Sequence, residues 1–334
     1  MARVGNDAGI FRTLVAAEGP LSSAALAEKT NVDPVLMTRL LRYYQSYGMI
    51  KEEAEDAFTA NNVTDALGTS NGEGGITFMG TFSQHTYLCL PEYLKSHGYK
   101  NPTNPVDAPF QAGFNTDEHM FVWLQTHPEH FERFMAWVSH QNRHGLPRWH
   151  DIFPFDEECG GNTTPDTVLF VDVGSALGRQ SVALREKYPH LPGRIVIQDT
   201  EQVMAAAQPG HGIETMVYDF FTPQPARGAR AYYLRNILHD HQDAQAREIL
   251  ANTMSAMDEE SVILIDEMVL PEKGAHWRAA NMDIMMMTCV AAKERSEREW
   301  DALLASVDLS VIKVWKYTEC DDRIIVAKPN KFAR

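Results

Sequence analysis

The sequence lacks several features that would assign it to a special class of protein. No window approaches the roughly 18 consecutive apolar residues of a membrane-spanning helix, and the amino end has no signal-peptide core. The four cysteines, Cys89, Cys159, Cys289 and Cys320, form no C-x-x-C pair, so neither a disulfide framework nor a zinc site is indicated. We therefore expect a cytoplasmic protein that neither enters a membrane nor holds a metal.

Positive charge is also scarce. The chain has 30 lysine and arginine residues against 45 aspartate and glutamate residues, a net charge of −15. A nucleic-acid-binding surface needs a basic footprint, so this balance argues against a nucleic acid partner. With 334 residues, of which 44% are hydrophobic, the chain is long enough for two domains around a sizeable core.

Residues 1–70 have the pattern of a winged helix. "LSSAALAEKTN" opens with a serine cap, and Asp33 with Pro34 marks the start of the helix in "VDPVLMTRLLRYYQSYGMI". A winged helix serves DNA binding in some proteins and packing or dimerisation in others. Because this segment is itself acidic, and its third helix carries more large apolar residues than basic ones, we predict a dimerisation region.

Residues 71–160 are rich in aromatic residues and methionine at helical spacing, among them Phe121 and Trp123. Such residues are most often core, but so many flat rings beside a catalytic domain could also line a pocket for a planar, apolar substrate. "CGGNTTPDT", residues 159–167, is typical of a linker. We predict a helical region that joins the two ends of the chain and lines a substrate pocket.

Residues 161–334 alternate between strand, turn and helix. The predicted strands are "VLFVDV", "RIVIQD", "IETMVYD", "ARAYYLRNIL", "SVILIDEMV", "SVIKVWKYT" and "RIIVAKP". Near-continuous apolar strands that alternate with helices predict an α/β fold with a doubly wound, mostly parallel sheet. The last two strands are separated only by "ECDD", so we expect them to form an antiparallel hairpin.

Polar or special residues follow five consecutive strands of this predicted sheet. Ligands of open α/β sheets bind beyond the carboxyl ends of the strands, which meet at one edge. The residues expected there are Asp172, Gly174 and Gly178 after the first strand, Asp199 after the second, Asp219 and Phe220 after the third, Arg235 and His239 after the fourth, and Asp266 and Glu267 after the fifth.

The loop after the first strand indicates an adenosine cofactor. Gly174 and Gly178 let the backbone approach a ligand closely and let a helix begin tightly. Asp199 lies 21 residues beyond Gly178, a spacing that suits the ribose acceptor of a nicotinamide or any other adenosine cofactor. The loop has the pattern D-x-G-x-A-x-G rather than G-x-G-x-x-G, which favours a mononucleoside cofactor over a dinucleotide.

His239 is the candidate general base, because an imidazole in this zone can accept a proton near neutral pH. Glu267 arrives from the neighbouring strand end. We expect Glu294, on the later helical segment "AAKERSEREW", to fold over the same opening. Taken singly, the histidine could be structural and Glu294 could lie on a solvated helix face. Together they predict a histidine oriented by carboxylates.

The string "YDFFTPQPARGARAYYLRNILHDHQDAQAREIL", followed by "SVILIDEMVLP", resembles the S-adenosylmethionine-dependent O-methyltransferases of the caffeate/flavonoid type, in their fungal natural-product branch. The resemblance covers nearly the whole chain. It implies a class I methyltransferase fold, that is, a Rossmann-like doubly wound sheet with an antiparallel last strand, preceded by a winged-helix dimerisation domain. It also implies a homodimer, S-adenosylmethionine as cofactor, S-adenosylhomocysteine as product and a phenolic or polyketide-type acceptor.

The resemblance further implies roles for single residues. Gly174 lies under the methionine part of the cofactor, Asp199 accepts from the ribose, Asp219 and Phe220 hold the adenine, and Arg235 lies near the cofactor's carboxylate. His239 is the general base, oriented by Glu267 and Glu294. The segment "NMDIMMMTCV" lines the acceptor pocket, with Met282, Met285 and Met286 as pocket residues unless these are only core.

Three positions depart from the family pattern and keep a second function open. Ser175 and Ala176 replace common glycines, and His241 replaces the tryptophan of an H-D-W motif. These changes favour a methyltransferase-like pericyclase or cyclase, in which the cofactor does not react or is absent. Retention of His239, Glu267 and Glu294 favours methyl transfer. A third function, a DNA-binding metabolite sensor, fits the acidic balance poorly.

Overall fold

The computed structural model describes residues 1–139 and 146–333 of the chain. A single π-helical turn, Met79–Ser83, and a 3₁₀ turn, Leu238–Asp240, accompany the regular elements. The α-helices are α1 (Ala2–Asp7), α2 (Ile10–Val15), α3 (Ser23–Thr30), α4 (Pro34–Ser46), α5 (Asn62–Leu67), α6 (Ser70–Phe78), α7 (Gln84–Ser96), α8 (Pro109–Phe114), α9 (Met120–Thr126), α10 (Pro128–Ser139), α11 (Trp149–Ile152), α12 (Phe155–Cys159), α13 (Arg179–Lys187), α14 (Glu201–Ala206), α15 (Asp243–Met254), α16 (Trp277–Val290) and α17 (Glu297–Ala305). The strands are β1 (Lys51–Ala54), β2 (Ala57–Thr59), β3 (Val168–Val173), β4 (Arg194–Asp199), β5 (Glu214–Val217), β6 (Ala231–Arg235), β7 (Val262–Leu270), β8 (Arg295–Ser296), β9 (Leu309–Lys316) and β10 (Asp322–Pro329).

The described residues form two compact units that are interleaved along the chain. One contains residues 1–85 and the segment that begins at Leu124, and the other contains Thr86–Trp123 and residues 146–333. The division at residues 70 and 160, which rests on composition, stays a prediction.

The first unit has the winged-helix order that its caps predict. The hydroxyl of Ser22 accepts from the N–H of Ala25 at 3.1 Å, and the carboxylate of Asp33 accepts from the N–H of Leu36 at 2.9 Å. The short antiparallel pair β1–β2 forms the wing. The core beneath it consists of Ile10, Phe11, Leu14, Leu26, Ala27, Met37, Leu40, Leu41, Tyr44, Ile50 and Phe58.

The second unit is built on one mixed sheet of order β5-β4-β3-β6-β7-β10-β9, with β8 paired to β7. The first five strands in this order are mutually parallel, whereas β10 runs antiparallel to both β7 and β9. The expected doubly wound sheet with an antiparallel final hairpin is therefore confirmed. The chain order reverses between β3 and β6, which creates a topological switch point at their carboxyl ends.

Both faces of this sheet are covered, which explains the near-continuous apolar strands. α15 and α17 contribute to the core on one face, where Tyr232 and Leu234 of β6 are buried. α11, α12 and α13 contribute to the core on the other face, where Tyr233 is buried. Alternation along each strand therefore supplies apolar side chains to two cores at once. Among the described helices, none combines the length and the apolar character that crossing a bilayer demands.

Candidate active site

Two loops approach each other at the switch point. The first loop follows β3, and at Gly174, where φ is +69°, a Cβ atom would lie 2.3 Å from Cδ1 of Ile237 in the second loop, which follows β6. A side chain at this position is disfavoured by the left-handed backbone conformation, and it would also require the side chain of Ile237 to move. Gly178, with φ of +75°, ends the first loop and precedes α13. Ligands bind at such a switch point in open α/β sheets, so the crevice between the loops is the candidate site.

Asp172 fixes the start of α13 beneath the first loop. Its buried carboxylate accepts a hydrogen bond from the hydroxyl of Ser181 at 2.7 Å, and Ser181 lies in the first turns of α13. Burial raises the pKa of Asp172 to about 7, although the bond from Ser181 opposes this rise. The residue therefore positions the loop from below.

Asp199, at the end of β4, presents a carboxylate to the same loop. Its Oδ2 accepts from the N–H of Ala176 at 2.9 Å, and its Oδ1 accepts from the N–H of Thr200 at 2.8 Å. Ala176 has φ of +49°, a left-handed conformation that costs a residue with a Cβ about 1–2 kcal/mol. A carboxylate has about four acceptor sites, so Asp199 can accept from two further donors, such as the hydroxyls of a ribose.

An aromatic corner lies beyond β5. The ring of His241 meets Phe220 at 5.5 Å and Phe221 at 5.4 Å between centroids, in both cases nearly edge to face. Burial lowers the pKa of His241 to about 4, so this ring is neutral at physiological pH. Asp219 is exposed, and its Oδ1 accepts from the N–H of Phe221 at 3.0 Å, which closes the turn. Flat apolar rings beside an exposed carboxylate suit a purine with an exocyclic amine.

Glu267 holds the backbone of the turn that carries His239. Its Oε1 accepts from three successive N–H groups, those of Ile237 at 3.1 Å, Leu238 at 2.9 Å and His239 at 3.4 Å. The first N–H groups of a helical turn have no partner within the turn, and a buried carboxylate satisfies them with a favourable charge. Glu267 thus contacts the backbone of the turn, and its Oε2 also lies 3.6 Å from Nδ1 of the ring; its role in orienting His239 stays a prediction.

The imidazole of His239 lies among three carboxylates. Its Nδ1 is 2.8 Å from Oε1 of Glu294 and 3.6 Å from Oε2 of Glu267, and its Nε2 is 3.6 Å from Oδ1 of Asp240. An ionised carboxylate can only accept hydrogen bonds. Nδ1 of His239 therefore carries a proton and donates a hydrogen bond to Oε1 of Glu294. Burial alone would lower the pKa of His239, but Glu294, Glu267 and Asp240 together raise it to about 10.

The carboxylates respond to their own burial. Desolvation raises the pKa of Glu267 to about 7 and that of Asp240 to about 6, against the opposing effect of His239. Among the described residues, Oε2 of Glu267 and Oε2 of Glu294 have no hydrogen-bond donor. His239, Glu267 and Glu294 offer ligand atoms within 4.8 Å of one another, so this set has the donor chemistry to hold a metal ion.

Arg235, at the end of β6, is bound to a buried carboxylate. Its guanidinium pairs with Asp266 and donates to the hydroxyl of Tyr317 at 3.2 Å, while Tyr317 donates to Asp266 at 2.6 Å. The hydroxyl of Tyr233 donates to the same carboxylate. In this structure the contacts of Arg235 are therefore those of a buried ion pair. Its expected role beside the cofactor's carboxylate stays a prediction.

The predicted pocket residues differ in exposure. Trp123 is buried against Phe110 and Phe114, with centroid separations of 5.6 Å and 4.8 Å, whereas Phe121 is half-buried. On α16, Met285 and Met286 are buried and Met282 is half-buried. Phe121 and Met282 are thus the members of this set with surface left for an acceptor.

Glu294 requires one correction. The sequence predicts it on a helical segment, but α16 ends at Val290 and Glu294 lies in the loop before β8. Ala291, with φ of +53°, ends the helix, and β8 pairs with β7 immediately after Glu294. Arg295, which is 1% exposed, is a buried residue that the sequence does not predict. In "KERSEREW" its charge is indistinguishable from those of neighbouring surface residues, so no signal in the sequence identifies it.

Comparison with known proteins gives consistent matches. The family model of the O-methyltransferase domain matches residues 166–308, and that of the O-methyltransferase dimerisation domain matches residues 4–70. Demethylsterigmatocystin 6-O-methyltransferase of Aspergillus parasiticus is 40% identical over 332 residues, which cover 99% of this chain and 85% of that protein.

Solved structures agree with this assignment of the fold. The structure of LepI in complex with SAM superposes with a TM-score of 0.92 at 37% identity, covering 98% of this chain and 84% of that chain. A structure described as a pericyclic reaction enzyme gives the same TM-score of 0.92, identity of 37% and coverage of 98% and 84%. The chain is thus also similar to a structure whose description names a reaction other than methyl transfer.

Proposed function

Because the chain belongs to the S-adenosylmethionine-dependent O-methyltransferase family, we propose that it methylates a hydroxyl of a small aromatic or polyketide-type metabolite, with His239 as general base. The arrangement of His239 between Glu294 and Glu267 at the switch point is the observation that carries the proposal. Binding of S-adenosylmethionine is supported by the solved complex of LepI.

The crevice fits the cofactor on its own geometry. Because residue 174 is glycine, no side chain fills the narrow gap between the first loop and Ile237. Asp199 has acceptor sites left for two ribose hydroxyls. Phe220, which is half-buried, offers a surface for the adenine, and the exposed carboxylate of Asp219 offers an acceptor for its amine. Asp172 fixes the start of α13 through Ser181, and Gly178 ends the first loop. When bound, the cofactor supplies a methyl group on a positively charged sulfonium.

His239 would remove the acceptor's proton. A phenol has a pKa near ~10, and Glu294, Glu267 and Asp240 raise the pKa of His239 above that of a free imidazole, which strengthens it as a base. His239 must first lose the proton it holds at neutral pH. A positive charge in the crevice disfavours the imidazolium and lowers its pKa, which makes a neutral base available once the site is loaded. Glu294 keeps the proton on Nδ1, so that Nε2 is the basic atom.

No metal is needed for these steps. The leaving group is a neutral thioether, and alignment of the acceptor with the methyl group can supply part of a ceiling of ~7–11 kcal/mol. General base catalysis adds about 10²–10⁴-fold. We therefore propose metal-independent transfer, although the ligand set around His239 has the chemistry to bind an ion.

Dimerisation and location complete the proposal. The match of residues 4–70 to a dimerisation domain supports a homodimer, which light scattering on the purified chain would test. All four cysteines are free, and three of them are buried, which supports residence in the reducing cytoplasm. A protein of this charge is proposed to bind neither nucleic acid nor membrane.

The deciding experiment uses S-adenosylmethionine with an isotopically labelled methyl group. The acceptor is demethylsterigmatocystin, the compound named for the relative in Aspergillus parasiticus, together with a panel of simpler phenols. We expect labelled product and S-adenosylhomocysteine in equal amounts. In His239→Asn, turnover should fall by ~10²-fold or more while calorimetry shows that S-adenosylmethionine still binds. Undiminished transfer of the label in this variant would exclude His239 as the base.

A pericyclic or cyclising activity is the second candidate. The near neighbour of that reaction class, together with Ala176 and His241 in place of the family's usual residues, favours it. In that case an unsaturated polyketide-type substrate would isomerise without any S-adenosylhomocysteine. Equal yields of product with S-adenosylmethionine and S-adenosylhomocysteine would support this second function over methyl transfer.

A further inference from the structure

Arg295 makes four hydrogen bonds in the interior of the protein. Its Nη1 donates to the carbonyl of Leu238 at 2.7 Å, and its Nη2 donates to the carbonyl of His241 at 2.8 Å. Nε and Nη2 also donate to Oδ1 of Asp243, at 3.0 and 2.9 Å. The guanidinium lies 5.3 Å from the ring of Trp300. The planar fork of arginine suits two acceptors in fixed directions, and an ammonium group could not reproduce this geometry.

The two carbonyls belong to the turn that carries His239. Leu238 precedes the histidine directly, and His241 follows it by two residues. Glu267 already holds the N–H groups on the other side of this turn through its Oε1. A buried anion thus binds the donor end of the turn and a buried cation binds its acceptor end. Each charge interacts favourably with the backbone dipoles that face it.

Strand β7 fixes the positions of Glu267, Glu294 and Arg295 relative to one another. β8 begins at Arg295 and pairs with β7, with Arg295 opposite Val269. β7 carries Glu267, and Glu294 precedes Arg295 in the chain. Glu294, which binds the imidazole, and Arg295, which binds the backbone of its turn, are therefore adjacent residues. Pairing of β8 fixes them to β7, the strand that supplies Glu267. A shift of the turn relative to Glu294 requires the bonds to Arg295 to break.

We propose that Arg295 is a positioning residue for His239. By holding the turn, Arg295 keeps Nδ1 of His239 directed at Glu294 and Nε2 directed at the acceptor. The inference rests on the proposed role of His239 as general base. Arg295 acts through the backbone of the turn, to which it donates at Leu238 and His241. Loss of its fork lets the turn move, and a misplacement of about 1 Å can cost ~10²-fold in rate.

The test compares two conservative variants with a matched control. Arg295→Lys keeps the charge, and Arg295→Gln keeps two donors, but neither can bridge both carbonyls. Arg185 is the control, because its guanidinium also joins two backbone carbonyls of the same unit, those of Leu191 at 2.8 Å and Gly193 at 2.6 Å. Arg185→Lys therefore removes the same kind of contact without touching the turn of His239.

We expect both Arg295 variants to bind S-adenosylmethionine within ~3-fold of the parent and to lose at least ~10-fold in kcat. Arg185→Lys should keep kcat within ~2-fold at a similar loss of Tm. A second readout is the titration of His239 by NMR of histidine labelled at Cε1, with the signal assigned from its absence in His239→Asn. The midpoint should fall by at least ~1 pH unit in Arg295→Lys, which keeps the positive charge, because the ring loses its alignment with Glu294.

The outcomes separate the inference from the proposed function. If kcat and the titration of His239 are unchanged in folded Arg295 variants, or if Arg185→Lys reduces kcat equally, the positioning role is refuted. If an Arg295 variant does not fold, the other variant decides, and failure of both to fold while Arg185→Lys folds also refutes it, since Arg295 then serves the fold. If His239→Asn retains full turnover, the proposed base fails, whereas a shifted titration in the Arg295 variants would still support the positioning of the ring.

Discussion

The replacement Glu294→Gln tests how buried carboxylates control His239. Oε1 of Glu294 lies 2.8 Å from Nδ1 of His239, and its side chain is fully buried. Glutamine keeps the shape and removes the charge. At an effective dielectric constant of about 20, two unit charges about 4 Å apart attract by ~4 kcal/mol. Each pKa unit corresponds to ~1.36 kcal/mol, so the pKa of His239 should fall from about 10 to about 7.

The assay is an NMR titration of histidine labelled at Cε1, in parent and variant, without ligand. Glu248→Gln is the matched control, because Glu248 is an exposed acid on α15 and its replacement should leave the midpoint of His239 unchanged. We also expect kcat to fall by ~10²-fold or more, since the neutral amide stabilises the imidazolium poorly and no longer selects the tautomer. A midpoint of His239 that is the same in Glu294→Gln as in the parent would refute the electrostatic reasoning.

Three further predictions use other features of the molecule. Ala176→Gly should raise the free energy of unfolding by about 0.5–1 kcal/mol in urea titrations, because Ala176 has φ of +49°; an unchanged or lower value would contradict strain in the loop. His150 is fully buried, and burial lowers its pKa to about 4. As the pH falls from about 6.5 towards 4, this histidine becomes protonated in the unfolded chain but not in the folded one, so the free energy of unfolding decreases. His150→Phe should therefore lose less stability than the parent between these pH values, measured by urea unfolding, and an identical slope would exclude this histidine as a source of acid sensitivity. Dialysis against a chelator should leave kcat unchanged, and a loss that Mg²⁺ or Zn²⁺ restores would show that the ligand set at His239 holds a functional metal.

The strands and their order follow from the sequence because burial on both faces leaves a simple signal. The bounds predicted for β3 and β4 coincide with those observed, since each is a short apolar run between turn residues. The gathering of Asp199, His239 and Glu267 at one edge also follows, because parallel strands end together. These elements are local patterns whose tertiary consequence is fixed by the fold class.

Glu294 and Arg295 could not be placed in the same way. Their segment is rich in helix formers, and only the left-handed Ala291 and the pairing of β8 with β7 override that preference. Arg235 shows a similar limit, because its partner Asp266 lies on the next strand and no spacing along the chain reveals the ion pair. Long-range pairing of single polar residues leaves no periodic trace in a sequence.

The neighbouring carboxylates of β7 have a consequence for how such an enzyme can diversify. Asp266 serves the buried ion pair with Arg235 while Glu267 holds the turn of His239, because successive strand residues point to opposite faces. A shift of the register of β7 by one residue would move each of the two acids to the opposite face of the sheet. Both the ion pair with Arg235 and the contact of Glu267 with the turn of His239 would then be lost. New acceptor preferences should therefore arise through changes in loops and in the helix that carries Met282, with the length of this strand held constant.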